Sequence, residues 1–161
     1  CVTGRACYLE EKKDKERLLA IAKASSSLPY VCPITYVDGR PMLDGGIVDS
    51  IPVLRAIEQG YERNVVVLTR NRGYRKSEKD IRVPRFIYTR YPRLRVVLSR
   101  RCQVYNQQLE MIERMEDEGR IIAIRPEQRV VVNRIEKDIR KLTSLYEEGY
   151  ACAEKVMGQF L

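Results

Sequence analysis

Three consecutive residues, Asp44-Gly45-Gly46, have the types and spacing to do chemistry. A carboxylate there can take or orient a proton, and two glycines let backbone approach a bound group closely. The expected strand before them ends at Leu43, and a helix is expected soon after, with Asp49 just ahead of Ser50 and Pro52. The carboxyl end of a strand beside a helix N-terminus is where open α/β sheets place ligands. Asp-Gly-Gly is also an ordinary turn sequence, because Asp and Gly populate turns widely. The neighbouring Ala24-Ser25-Ser26-Ser27-Leu28-Pro29 reads as a helix terminus packed near the same place, with Pro29 fixing the exit of the chain. Asp49 reads as a supporting residue that favours the positive end of the following helix.

The chain has 161 residues and contains no histidine. That excludes a Ser-His-Asp or Cys-His centre, a His-ligated metal and the usual general base at neutral pH. Five scattered cysteines, Cys1, Cys7, Cys32, Cys102 and Cys152, lack the spacing of a zinc knuckle or redox motif. Neither a metal nor a cofactor is therefore expected. Free thiols fit a reducing, cytoplasmic compartment. No apolar run approaches a membrane span and no signal-peptide pattern opens the chain. Its start, Cys1-Val2-Thr3-Gly4-Arg5, reads as a hairpin entered midway, which suggests the C-terminal portion of something longer.

The elements that must position Asp44 follow from pattern. A hairpin arm is expected over Val2–Leu9. Asp14 can cap a helix with Leu18, Leu19, Ile21 and Ala22 inward. Asp38-Gly39 is a hairpin turn between Ile34–Val37 and Pro41–Leu43. Ser50 is expected to cap a helix running to Gly60. Asn64–Thr69 and Ile121–Ile124 read as buried strands, and Arg129–Asn133 as a weaker one. Between the first two strands, apolar residues at threes and fours predict a helix over Arg93–Glu118, stopped at Gly119. Arg101 and Gln108 interrupt its apolar seam, so packing against the sheet is expected rather than a coiled coil. A last helix from about Asp138 should turn Ile139, Leu142, Leu145 and Tyr146 inward, with a break at Gly149. The fold class is α/β.

The run ASSSLPYVCP over residues 24–33, the Asp38-Gly39 hairpin and DGGIVDSIPV over residues 44–53 resemble the second half of a patatin-like phospholipase domain. The segments 66–76, 121–126 and 134–150 resemble the C-terminal extension of a bacterial patatin-like subgroup. The resemblance implies the C-terminal part of a three-layer α/β/α domain over residues 1–69 and a small α/β extension with a long helix over 70–161. It also implies a Ser-Asp dyad acting on lipid or other acyl esters. Asp44 matches the dyad aspartate, with Gly45, Gly46, Asp49, Ser25 and Pro29 in support. No G-x-S-x-G occurs in the 161 residues, and no Gly-rich oxyanion loop precedes Asp44. The serine is then expected upstream of Cys1, and this fragment alone is expected to be inactive. The alternative is a membrane-docking or protein-interaction module attached to a degenerate hydrolase.

Residues 70–101 hold twelve Lys and Arg against Glu78 and Asp80, a local +10 within an overall +8. Tyr74, Phe86, Tyr88 and Tyr91 are interleaved. Such a run can be a solvated face balanced by the acidic residues of Glu110–Glu118, or an anionic-lipid contact through Arg72, Arg75 and Lys76 that would hold the protein peripherally at a membrane. Nucleic acid is the least favoured partner, because no RNA-binding module accompanies the charge. Strand edges left open in a partial sheet predict homo-oligomers of the fragment.

Overall fold

The computed structural model describes residues 1–77, 83–84, 86–132 and 136–158, and these form a mixed α/β protein with two small sheets. They divide into two compact units interleaved along the chain. One holds Cys1–Ile51 with Lys76–Gln108, the other Pro52–Arg75 with Leu109–Leu161.

In the first unit, helix α1 (Lys15–Ser25) starts where the Asp14 carboxylate accepts from the amides of Glu16 and Arg17. Arg17 then bridges Glu11 and Asp38, which ties α1 to the hairpin turn. Strands β1 (Thr35–Val37) and β2 (Arg40–Met42) pair antiparallel. Asp38 and Gly39 between them have φ of +50° and +71°, the left-handed pair that a two-residue hairpin turn requires. Helix α3 (Pro92–Asp117) begins in this unit. Its Leu94 and Leu98 pack on Ile47, with Leu43, Val48, Tyr88, Tyr91 and Val97 around them.

In the second unit, helix α2 (Val53–Glu58) contacts strand β3 (Asn64–Val67), which runs parallel to β4 (Ile121–Ile124). Helix α4 (Ile139–Met157), capped by Asp138, lies on β4. The last residues of α3 also belong here, and Ile112 is fully buried. Gly119, at φ +69°, ends α3 as its position predicts.

Several expectations change. Residues 2–9 are irregular rather than a strand. Gly4 instead sits at φ +65° against Arg93 and Val97, where a side chain would collide. On α1, Leu18, Leu19 and Ala22 face solvent and Ala24 is the buried position. Ser50 does not cap α2; its hydroxyl donates to the Gly46 carbonyl. Residues 129–132 are not strand, and Asn133 lies outside the described residues. Helix α4 passes through Gly149 without a break and turns Ile139, Leu142 and Tyr146 outward, at 76%, 42% and 71% exposure. An isolated helix pattern fixes its apolar stripe but not which edge of that stripe meets the sheet.

Candidate active site

The Asp44 loop is built from three directions within the first unit. First, the chain just past α1 supplies Ser27, which is 4% exposed and the one buried polar residue of the described core. Its hydroxyl donates to the Lys23 carbonyl at 2.7 Å and pairs with the Thr35 hydroxyl at 2.9 Å. Its carbonyl accepts the Asp44 N–H at 2.9 Å. The serine-rich segment therefore packs at the site through Ser27, with Pro29 buried beside it, while Ser25 is exposed as the last residue of α1.

The loop itself closes as a single 3-10 turn over Gly45–Ile47, with Asp44 at its N-cap. Asp44 Oδ1 accepts the Gly46 N–H at 2.7 Å. Its Oδ2 has no protein partner among the described residues, and the carboxylate is half-buried. The two glycines do different things. A Cβ on Gly46 would lie 3.0 Å from Asp44 Oδ1, so a side chain there needs the carboxylate to give way by a few tenths of an ångström. A Cβ on Gly45 would meet nothing within 4 Å, and that side of the loop is open.

From the third direction comes α3. Arg101 Nε donates to the Gly46 carbonyl at 3.1 Å, where it joins the Ser50 hydroxyl. Gln108 donates through Nε2 to Asp49 Oδ1 at 2.6 Å and accepts the Ser50 N–H on Oε1 at 3.2 Å. The Tyr8 hydroxyl donates to the other oxygen of Asp49. Asp49 is thus consumed by a hydrogen-bond network and holds the exit of the loop. Periodicity had marked Arg101 and Gln108 only as interruptions in an apolar seam, and no local signal pointed to Tyr8.

Nearby, Tyr30 and Tyr88 both adopt left-handed backbone, at φ +68° and +56°. Their rings stand 5.8 Å apart and the Tyr88 hydroxyl accepts the Tyr30 N–H at 3.0 Å. Burial, and then the neighbouring Tyr88, raise the Tyr30 hydroxyl above its ordinary pKa, while the positive charge of Arg101 acts the other way. Two non-glycine residues held at positive φ mark a place where the surroundings override local backbone preference.

The basic residues singled out from sequence all have partners. In the second unit, Arg72 pairs with Glu116 and Asp117, and Arg75 with Glu110 and Glu113. Arg125, nearly buried, joins Glu113 and Glu116. The Arg75 guanidinium beside Glu113 pulls that carboxyl down to about 2, helped by the Gly73 N–H and Arg125. In the first unit the Lys76 ammonium sits 3.7 Å from the Tyr105 ring centre, a cation–π contact. Lys76 also exchanges two backbone hydrogen bonds with the Asn106 amide. Among the described residues no cluster of three His, Cys, Asp or Glu is placed to hold a metal ion. No helix among them is long and apolar enough to cross a membrane.

Comparison with known families gives two matches. Residues 7–57 match the model of the Patatin-like phospholipase family, and this span contains Ser27, the Asp44 loop and Asp49. Residues 91–161 match a domain of unknown function (DUF6363), which begins with α3. No curated protein and no solved structure matches the chain. The first match supports a lipid-hydrolase family and an α/β fold of that class.

Proposed function

We propose that this chain is the C-terminal portion of a patatin-like acyl hydrolase in which Asp44 is the acidic partner of a Ser-Asp dyad. The observation that carries this reading is the state of the Asp44 carboxylate. One oxygen is held by Gly46 N–H and the other has no partner among the described residues, within a segment that matches the phospholipase family. A serine hydroxyl placed at Oδ2 would be oriented by it without disturbing the loop. As the serine oxygen bonds to the ester carbonyl carbon, its proton passes to Asp44. The resulting oxyanion needs backbone N–H donors. When the carbon–oxygen bond to the leaving alcohol breaks, Asp44 returns the proton to that oxygen. Water, activated by the same carboxylate, then releases the fatty acid and restores the serine.

The nucleophile and the oxyanion donors belong, on this reading, to a segment before residue 1, since the 161 residues contain no G-x-S-x-G. Residues 1–69 would complete a three-layer α/β/α domain together with that segment. A Ser-Asp dyad needs no imidazole. Substrates would be lipid or other acyl esters met at a membrane surface. Hydrolysis of a chromogenic short-chain ester by the natural protein tests the reading. Asp44→Asn should lower the rate by about 10³-fold, within the range for a lost general base. An Asp44→Asn protein with wild-type turnover would overturn it, and so would Asp44-dependent turnover by residues 1–161 alone for the upstream serine.

A further inference from the structure

Helix α3 lies in the domain of unknown function, yet its first half is aimed at the hydrolase loop. Leu94 and Leu98 seat Ile47, Arg101 reaches the Gly46 carbonyl, and Gln108 binds Asp49 and Ser50. At about 100° per residue these four positions fall within an arc of about 80°, along about 21 Å of helix. A helix that only buried its apolar stripe would have no use for Arg101 and Gln108 on that stripe. Both are there, and each meets a polar group of the loop.

We propose that the first half of α3 is the positioning element of the Asp44 loop, with Arg101 and Gln108 as its positioning residues. The proposal rests on the reading of Asp44 as the dyad acid. Neither residue bonds Asp44. Arg101 and Ser50 share the carbonyl of Gly46, the residue whose N–H holds Asp44 Oδ1. Gln108 fixes the exit of the turn by holding a side chain and a backbone amide at once. Together with the Ser27 carbonyl on the Asp44 N–H, they restrain the loop on both sides of the carboxylate and leave Oδ2 open. This gives the domain of unknown function a task in catalysis: it sets the dyad acid in place.

Displacing a reacting group by about 1 Å can cost about 10²-fold in rate, so loss of one restraint should be visible in turnover. In the natural protein, Arg101→Gln and Gln108→Ala should each lower kcat on p-nitrophenyl butyrate about 10-fold with KM changed less than about 2-fold. Arg101→Lys keeps a charged donor and should recover most of kcat. Arg100→Gln, on the exposed side of α3, should match wild type. Amide hydrogen exchange should accelerate at residues 44–50 in the first two variants and not in the β1–β2 hairpin. Wild-type kcat together with unchanged exchange at 44–50 would overturn the proposal, as would faster exchange spread over the whole unit with no rescue by lysine. Asp44→Asn measured alongside separates the two layers. If it retains turnover, or if the natural protein hydrolyses no ester, the hydrolase reading fails and the exchange pattern alone decides whether α3 holds the loop.

Discussion

The two halves of α3 use polar residues in opposite ways. Over residues 92–108, Arg101 and Gln108 make directional hydrogen bonds to backbone and to one carboxylate. Over residues 109–117, Glu113, Glu116 and Asp117 meet the guanidiniums of Arg72, Arg75 and Arg125. Acidic residues in the last turns of a helix oppose its dipole, and here three arginines from outside the helix offset that cost. Hydrogen bonds fix the orientation of a loop, whereas clustered charges mainly cancel each other. The first half therefore suits a site and the second suits the balancing of a basic sequence.

The largest effects should come from the apolar anchors of each half. Leu98 is 1% exposed and Ile112 is 0%. Replacing either by alanine should cost about 2–4 kcal/mol in urea unfolding. Only Leu98→Ala, which unseats Ile47, should also lower ester turnover at temperatures where both variants are folded. Equal turnover in the two would erase the distinction between the halves.

Next come the glycines of the loop. Gly46→Ala should push the Asp44 carboxylate aside and lower kcat by about 10-fold or more, while Gly45→Ala, with open space before it, should leave kcat near wild type. Reversal of that order would mean that the loop does not work in the geometry described.

In the second half, the carboxyl of Glu113 is held down to about 2 chiefly by Arg75. A lowered folded-state pKa contributes stability that is present above the unfolded value, near 4.5, and is lost as pH falls toward 2. Glu113→Gln should therefore remove about 1 kcal/mol at pH 7 and flatten the acid limb of the stability curve between about pH 5 and 2. An unchanged acid limb would show that the Arg75–Glu113 pair does not titrate with folding. The smallest effect should be at Arg72, whose side chain is half exposed: Arg72→Gln should cost less than about 1 kcal/mol. Because its charge is already met by Glu116 and Asp117, flotation with anionic vesicles should change little in the same variant. A marked loss of flotation would support Arg72 as a lipid contact.

Local chemistry was readable where it is self-contained. Asp14 and Asp138 cap helices because their carboxylates satisfy nearby amides, and Asp38-Gly39 turns because both residues accept positive φ. The long helix and its stop at Gly119 followed from period and from one glycine. What could not be read depends on partners distant in sequence. Ile139 and Tyr146 carry helical periodicity but end on the outer face of α4, since the sheet takes the neighbouring stripe. Asp49 resembled a helix-end carboxylate, but its partners are Tyr8 and Gln108, 41 and 59 residues away. The turn at Asp44-Gly45-Gly46 and the packing of the serine-rich segment beside it were legible from local sequence, whereas the bonds from Arg101 to Gly46 and from Gln108 to Asp49 and Ser50 were not.

Covalent labelling with a fluorophosphonate ester tests the place of Asp44 most directly, because the reagent modifies an activated serine and needs no turnover. Mass spectrometry of the labelled natural protein should find one modified serine, outside residues 1–161, and Asp44→Asn should slow its labelling by about 10²-fold or more. Labelling of a serine within the chain, or a rate indifferent to Asp44→Asn, would contradict the assignment of Asp44 as the dyad acid.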